Sequence, residues 1–325
     1  MSNETGQRPE EAGSGGNWEK QVLEKLVFAG LKEQRSTRRW GIFFKSLTLL
    51  FLFAMLFIAL GWLGKSQPAA ASRHTALVEL RGVIDADGKA SGDKVINGLQ
   101  EAFKDGKTQG VVLRINSPGG SPVQAGHIND EMRRLRKLYP NIPLYVVVED
   151  VCASGGYYVA VAADKIFVDK ASLIGSVGVL MDGFGFTSAM EKIGIERRLL
   201  AAGENKGFLD PFSPLNESQK AYAQKMLGEI HQQFIKTVRE GRGNRLKETP
   251  DMFTGLVWTG EKSLELGLAD SYGTLQSVAR DVIKAEDIVD FTPEDNLAEK
   301  FARRFSAIGG EAIASALISK TTPFR

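Results

Sequence analysis

Val151-Cys-Ala-Ser154-Gly-Gly-Tyr157-Tyr-Val-Ala-Val-Ala-Ala163 is the stretch around which the chain is organised. It follows Pro143-Leu-Tyr-Val-Val-Val148, a short β-branched run behind a proline that reads as a buried strand. Small and aromatic residues at helical spacing come after it. Ser154 therefore sits where a strand turns into a helix, with two glycines behind it. Such a turn lifts the side chain clear of the backbone, as the nucleophile elbow of unrelated hydrolases does. It also sets the free N–H groups of a helix start beside the hydroxyl, where negative charge can be held. Taken alone, a serine before two glycines is an ordinary helix N-cap.

Upstream, Asn116-Ser-Pro-Gly119-Gly120-Ser121 directly follows the apolar run 110–115 and precedes a helical stretch opened by Pro122. By itself Pro-Gly-Gly is a turn. Beside Ser154, the Gly119/Gly120 loop supplies one amide of an oxyanion site and Gly155 the other. Further strands are expected over 76–84, 110–115, 143–148 and 165–168, with helices over 93–103, 122–138 and after Ser154. That alternation argues for an α/β fold with a largely parallel sheet. A strand over 195–201 is expected before the Lys206 loop. Helical stretches follow at 216–239, 261–266 and 275–284.

The 325 residues allow one large domain or two ordinary ones, and 43% hydrophobic with 25% charged residues is a globular composition. A net charge of +2 with no basic stripe argues against a nucleic-acid partner. The single cysteine, Cys152, excludes an internal disulfide. His74, His127 and His231 are scattered without ligand spacing, so no metal or other cofactor is expected.

The N-terminal part is organised differently. Residues up to about Gly16 are Glu-, Gly- and Ser-rich and read as disordered. Trp18, Val22, Leu26 and Ala29 then fall on one helical face, suited to a membrane surface or a partner. The uncharged run 46–63 is long enough to cross ~30 Å of hydrocarbon. It lies too far from the start for an ordinary signal peptide, although the small residues at 68–72 admit a late cleavage. Lys32, Arg35, Arg38, Arg39 and Lys45 precede it, against Lys65 and Arg73 after it. This bias puts the N-terminus in the cytoplasm and the large C-terminal part outside, with Trp40 and Trp62 as interfacial anchors. The expected divisions are an N-terminal segment 1–45, a transmembrane helix 46–63, a linker 64–75, a catalytic domain 76–290 and a helical tail 291–325. In that tail Leu297, Phe301, Phe305 and Ile308 share a face, fit for the bilayer, a neighbouring subunit or the domain itself.

A nucleophilic serine needs a base, and no histidine is placed for it by motif. The remaining option is a desolvated lysine. Lys206, in Gly203-Glu-Asn-Lys206-Gly-Phe-Leu-Asp-Pro-Phe212, is the candidate, but composition alone does not select it.

Five further motifs stand in order with the serine turn: Pro118-Gly119-Gly120, Gly175-Ser176-Val-Gly178-Val179, Lys206-Gly207, Val257-Trp-Thr-Gly260 and Leu266-Gly-Leu-Ala-Asp270. Together they resemble the signal peptide peptidase A family of membrane-anchored serine proteases, in its short single-domain form, over roughly residues 76–283. The resemblance implies a ClpP/crotonase-like spiral of ββα units, Ser154 as nucleophile, Lys206 as general base and Ser176 as the residue orienting that lysine. It places the oxyanion glycine at Gly119, with Gly155 as its partner. It also implies a homo-oligomeric ring, which leaves open whether Lys206 serves its own Ser154 or a neighbour's. The expected activity is hydrolysis of membrane-released or hydrophobic peptides, such as remnant signal peptides, at the extracytoplasmic face of the inner membrane. A catalytically silent membrane scaffold and a crotonase-type acyl-CoA enzyme are the alternatives.

Overall fold

The structure is a computed structural model and describes residues 16–59, 72–88 and 90–293. The expected disordered leader, the small-residue run before Ser72, Trp62 and the face of Leu297 to Ile308 lie outside the described residues. Two compact units divide the chain, one holding the first helix and the other holding the sheet.

The first unit's helix, α1, runs without a break from Gly16 to Ala59. A separate surface helix before the apolar run is thus not found. Nothing between the two stretches is a helix breaker except Gly30 and Gly41, and isolated glycines are tolerated at a cost of ~1 kcal/mol each. The side chains of Trp18, Leu26 and Ala29 lie outside the described residues. Within α1, Arg38–Leu56 is long and apolar enough to cross a membrane, and none of it is buried by protein.

The second unit is built on an eight-stranded sheet. Its elements in chain order are β1 (His74–Arg81), α2 (Gly92–Lys104), β2 (Thr108–Ser117), α3 (Pro122–Leu138) and β3 (Leu144–Ala153). Then come α4 (Gly155–Ala160), β4 (Lys165–Val168), β5 (Leu173–Gly175), α5 (Thr187–Lys192) and α6 (Glu217–Arg242). The last are β6 (Val257–Thr259), α7 (Gly260–Glu265), β7 (Ser271–Tyr272), α8 (Leu275–Ser277) with a π-helical turn over Val278–Ile283, and β8 (Ile288–Asp290). The main order is β6-β5-β3-β2-β1-β8, and β4 joins β3 to β7. Every pairing is parallel except β5 with β6.

Alternation decides the two faces. Val78 and Leu80 of β1, Val111, Leu113 and Ile115 of β2, and Val146 and Val148 of β3 point into the larger core beneath the helices. Leu77, Val112 and Val147 point the other way, under Leu275 and Val278. The helices match this with apolar stripes: Val95, Leu99, Ala102 and Phe103 of α2, and Ala125, Ile128, Met132 and Leu135 of α3, are all buried. Each of the larger of these side chains, Val, Leu, Ile, Phe or Met, stabilises the fold by ~1.5–3 kcal/mol when removed from water.

β3 is longer than the apolar run 143–148 suggests, and its length positions the site. Its first half, Tyr145–Val147, pairs with β4, and its second half, Val151–Ala153, pairs with β5. The register on β2 shifts between Ile115 and Ser117, so Ser117 faces Cys152. The polar Glu149 and Asp150 mark this change of partner and mask the second half in a hydropathy reading. No strand forms over 195–201 either. That stretch is exposed and pairs with no strand of the sheet, so its backbone joins no ladder.

Candidate active site

Ser154 follows β3 with φ 52° and ψ −122°, a left-handed conformation rarely held by a serine. Such strain costs ~1–3 kcal/mol and persists only where the surroundings impose it. They do so on both sides of the residue. Ser154 N–H donates to the Gly175 carbonyl at 2.8 Å, and its own carbonyl accepts from Tyr158 N–H at 2.9 Å. The side chain makes no capping bond. Ser154 stands at the N-cap position of α4 without acting as a cap, so its hydroxyl is left free.

α4 is held in turn by its aromatic residues. Tyr157 is fully buried and donates its hydroxyl to the Leu268 carbonyl at 2.8 Å. Burial, the leading influence, pushes its phenol well above the ordinary range, so it remains a neutral donor. Leu268 belongs to the segment anchored by Asp270, which receives two 2.9 Å bonds from Arg242 and one of 3.1 Å from Arg245. A polar network at the foot of α6 thereby fixes the helix that carries the Gly155 amide.

The Pro118-Gly119-Gly120 loop packs directly against the serine. A Cβ on Gly119 would lie 2.7 Å from both Gly155 N and Ser154 Cβ, and one on Gly120 only 2.1 Å from the Ile84 carbonyl oxygen. With φ of 103° and 147°, both positions also demand glycine on backbone grounds. Ile84 staples the loop from below, donating to Gly119 O at 2.8 Å and accepting from Ser121 N–H at 2.8 Å. The two amides differ. Gly119 N–H is donated to the Ser117 hydroxyl at 3.1 Å. Gly120 N–H has no hydrogen-bond partner among the described residues, and Gly120 lines the cavity beside Ser154.

That cavity has a volume of about 550 Å³. Ser154, Gly155, Gly120 and Ser176 converge on it, and Tyr158, Val179, Leu180, Ile230 and Phe234 give it apolar walls. Ser176 also has a left-handed backbone, at φ 52°, and its N–H donates to Leu256 O at 2.7 Å. Lys206 is elsewhere. It lies exposed in a turn, its N–H donating to Gly203 O at 3.0 Å, and it does not line the cavity. The structure thus gathers Ser154, Gly155, Gly119 and Ser176 and leaves Lys206 outside.

Lys206 belongs to an arm, residues 179–216, that displays large apolar side chains to solvent. Leu180 is 79% exposed, Phe184 78% and Leu200 98%. The arm has its own internal order: Phe186 N–H donates to Pro211 O at 2.8 Å, the Phe186 and Phe212 rings stack at 5.5 Å, and Arg197 pairs with Asp210 at 3.3 Å. An apolar surface on an ordered element marks a site of interaction.

Other nucleophiles and bases are placed elsewhere. Cys152 is fully buried, and burial pushes its thiol up, far from thiolate formation. His74 is buried at the start of β1, stacked on Phe291, and His127 is exposed on α3. His231, on α6, bonds the Val177 carbonyl next to Ser176. Among the described residues no cluster of His, Cys, Asp or Glu is suited to a metal. Sequence reasoning missed the free Gly120 amide and the His231 contact. Only the bond from Gly119 to Ser117 separates the two glycines, and no helical periodicity announces a side chain aimed at a distant carbonyl.

Residues 136–288 match the profile of Peptidase family S49. Over 206 residues the chain is 34% identical to a protein named Putative protease MJ0651 from Methanocaldococcus jannaschii, covering 62% of this chain and 65% of that one. Over 234 residues it is 26% identical to Putative signal peptide peptidase SppA of Enterococcus faecium, covering 70% and 67%. It is also 43% identical over 182 residues to a Brucella abortus protein named Na(+)/H(+) antiporter NhaA. That match covers 56% of this chain and a quarter, 25%, of the Brucella protein. The chain spans just under two thirds of the archaeal relative and far less of the Brucella one.

Proposed function

We propose, from the premise that this chain belongs to the SppA-type peptidases of family S49, that it is a membrane-anchored serine endopeptidase with a Ser154–Lys206 dyad. One observation carries the reading: an unbonded Ser154 hydroxyl, on a strained strand-to-helix turn, faces two amides at an apolar-walled cavity. Ser154 Oγ attacks the peptide carbonyl and yields its proton to neutral Lys206 Nζ. The oxyanion is held by Gly155 N–H and by one amide of the Pro-Gly-Gly loop. With the Gly119 N–H given to Ser117, that donor is Gly120. Lys206 returns the proton to the leaving amine, and water then releases the acyl group by the same route. Two such donors lower the barrier by several kcal/mol.

The exposed position of Lys206 supports a base shared between subunits. A lysine acts as a base only when neutral, and an ordinary lysine, pKa ~10.4, is charged at pH 7. Covering the apolar arm with a neighbouring copy in a ring supplies the desolvation such a base needs. Ser176, at the same cavity as Ser154, is assigned to orient the incoming lysine. We read the unit from 76 to 290 as a ClpP/crotonase-like spiral, on the strength of β3 dividing its halves between β4 and β5. The apolar run 46–63 is assigned as the anchor, with the catalytic unit extracytoplasmic, and hydrophobic peptides such as remnant signal peptides suit the cavity's walls.

The test is hydrolysis of a hydrophobic peptide by the full chain in detergent, with wild type, Ser154→Ala and Lys206→Ala compared. Loss in both variants is expected. Equal rates in all three, with no labelling of Ser154 by a fluorophosphonate, would leave a silent scaffold of the same fold.

A further inference from the structure

We propose that His231 is a positioning residue for this site, pinning through the Val177 carbonyl the segment that carries Ser176 and the cavity wall. His231 is half-buried on α6, among Ile230, Gln233 and Phe234, which line the Ser154 cavity. Its Nε2 lies 3.1 Å from the carbonyl oxygen of Val177. A carbonyl only accepts, so Nε2 carries the hydrogen and donates it. That nitrogen is therefore not available to take a proton from Ser154, and its bond to Val177 positions the backbone.

The segment it holds is tied at three successive residues. Gly175 O accepts from Ser154 N–H, Ser176 N–H donates to Leu256 O, and Val177 O accepts from His231. Val177 is fully buried, and the next two residues, Gly178 and Val179, line the cavity. Beyond Val177 the ties stop. The next backbone hydrogen bond along the chain is that of Phe186 to Pro211, inside the exposed arm. His231 is thus the last bond on the N-terminal side of the arm bearing Lys206, whose other end is held to α6 by Leu209 N–H donating to Gln219 Oε1 at 3.1 Å. It fixes Ser176 from its C-terminal side and sets where the wall formed by Val179 and Leu180 begins. The catalytic half of this inference rests on the serine peptidase reading; the pin itself does not.

The test uses the full chain in detergent with His231→Ala and His231→Gln, because a glutamine amide nitrogen reaches the place of Nε2 and donates as it does. Hydrogen exchange of peptides covering residues 176–186 should speed up about tenfold in His231→Ala and return to the wild-type rate in His231→Gln. The turnover number should fall ~10–100-fold in His231→Ala with a smaller change in KM, and recover to within about threefold in His231→Gln. Unchanged exchange in His231→Ala, or a His231→Gln variant as impaired as His231→Ala in both readouts, overturns the proposal. If wild type and Ser154→Ala hydrolyse peptide equally, the peptidase reading falls, and the exchange measurement still decides the pin.

Discussion

Ser154 and Gly175 hold each other: the serine N–H donates to the glycine carbonyl at 2.8 Å, where the end of β3 meets the end of β5. The bond places two left-handed residues, Ser154 and Ser176, each just past the end of one of two paired strands. It explains why a strained serine is stable there, and why the two hydroxyl residues face one cavity.

Ser154→Ala should remove hydrolysis and fluorophosphonate labelling, a loss of at least ~10³-fold. Because the side chain caps nothing, the melting temperature should move by no more than about a degree. A large fall in melting temperature would return Ser154 to a structural role.

Gly120→Ala tests the amide assignment. Its Cβ would collide with the Ile84 carbonyl at 2.1 Å, displacing the free N–H. Activity should fall by ~10² or more, as when an oxyanion donor is lost, together with a lower melting temperature. Gly126→Ala on α3 is the control, since a Cβ there meets nothing within 4 Å. It should keep activity and gain ~0.5–1 kcal/mol from helix propensity.

Lys206→Ala should be inactive yet as stable as wild type, because Lys206 is exposed and outside every packed cluster. Mixing it with Ser154→Ala should restore part of the activity if the lysine crosses a subunit boundary; no recovery at any ratio argues for a dyad within one chain. Leu200→Asp, at a side chain 98% exposed, should then weaken self-association and activity together, read by light scattering and hydrolysis.

Asp270 sets an acid limb on stability. Burial works to raise its carboxyl, but the hydrogen bonds and charge of Arg242, the Ile166 N–H and the charge of Arg245 outweigh burial and hold it below the ordinary carboxylate range. A depressed folded-state value means that the stabilisation is complete above the unfolded value of ~3.9 and is lost as pH falls through the folded one. Thermal melts of wild type should therefore be level from about pH 7 to 5 and drop steeply below about 4. Asp270→Ala leaves Arg242, 1% exposed, without its partner and should cost ~3–5 kcal/mol at neutral pH, with a flatter acid limb.

Much of the architecture was legible in the chain. The apolar runs 76–84 and 110–115 marked strands, and the glycine pairs at 119–120 and 155–156 marked backbone that must approach closely. These are local properties, set by side-chain period and backbone sterics, and residues a few positions apart suffice to express them. The second half of β3 escaped because Glu149 and Asp150 interrupt its apolar run where the strand changes partner. The expected strand at 195–201 failed for the opposite reason, having strand-like residues but no neighbour to complete its hydrogen bonds.

The chain by itself determined the α/β alternation, the apolar helix and the Ser154 turn, because each depends on neighbours in sequence. Whether Ser154 caps a helix or offers a free hydroxyl was decided only in three dimensions, by a left-handed φ imposed from Gly175 and a side chain that makes no capping bond. Which glycine amide is free was decided by Ser117, and the place of the Ser176 segment by His231 from a helix 54 residues away in sequence. Hydrogen bonds between distant residues are satisfied by folding alone, and the chemistry of this site is set by the few groups that folding leaves unsatisfied.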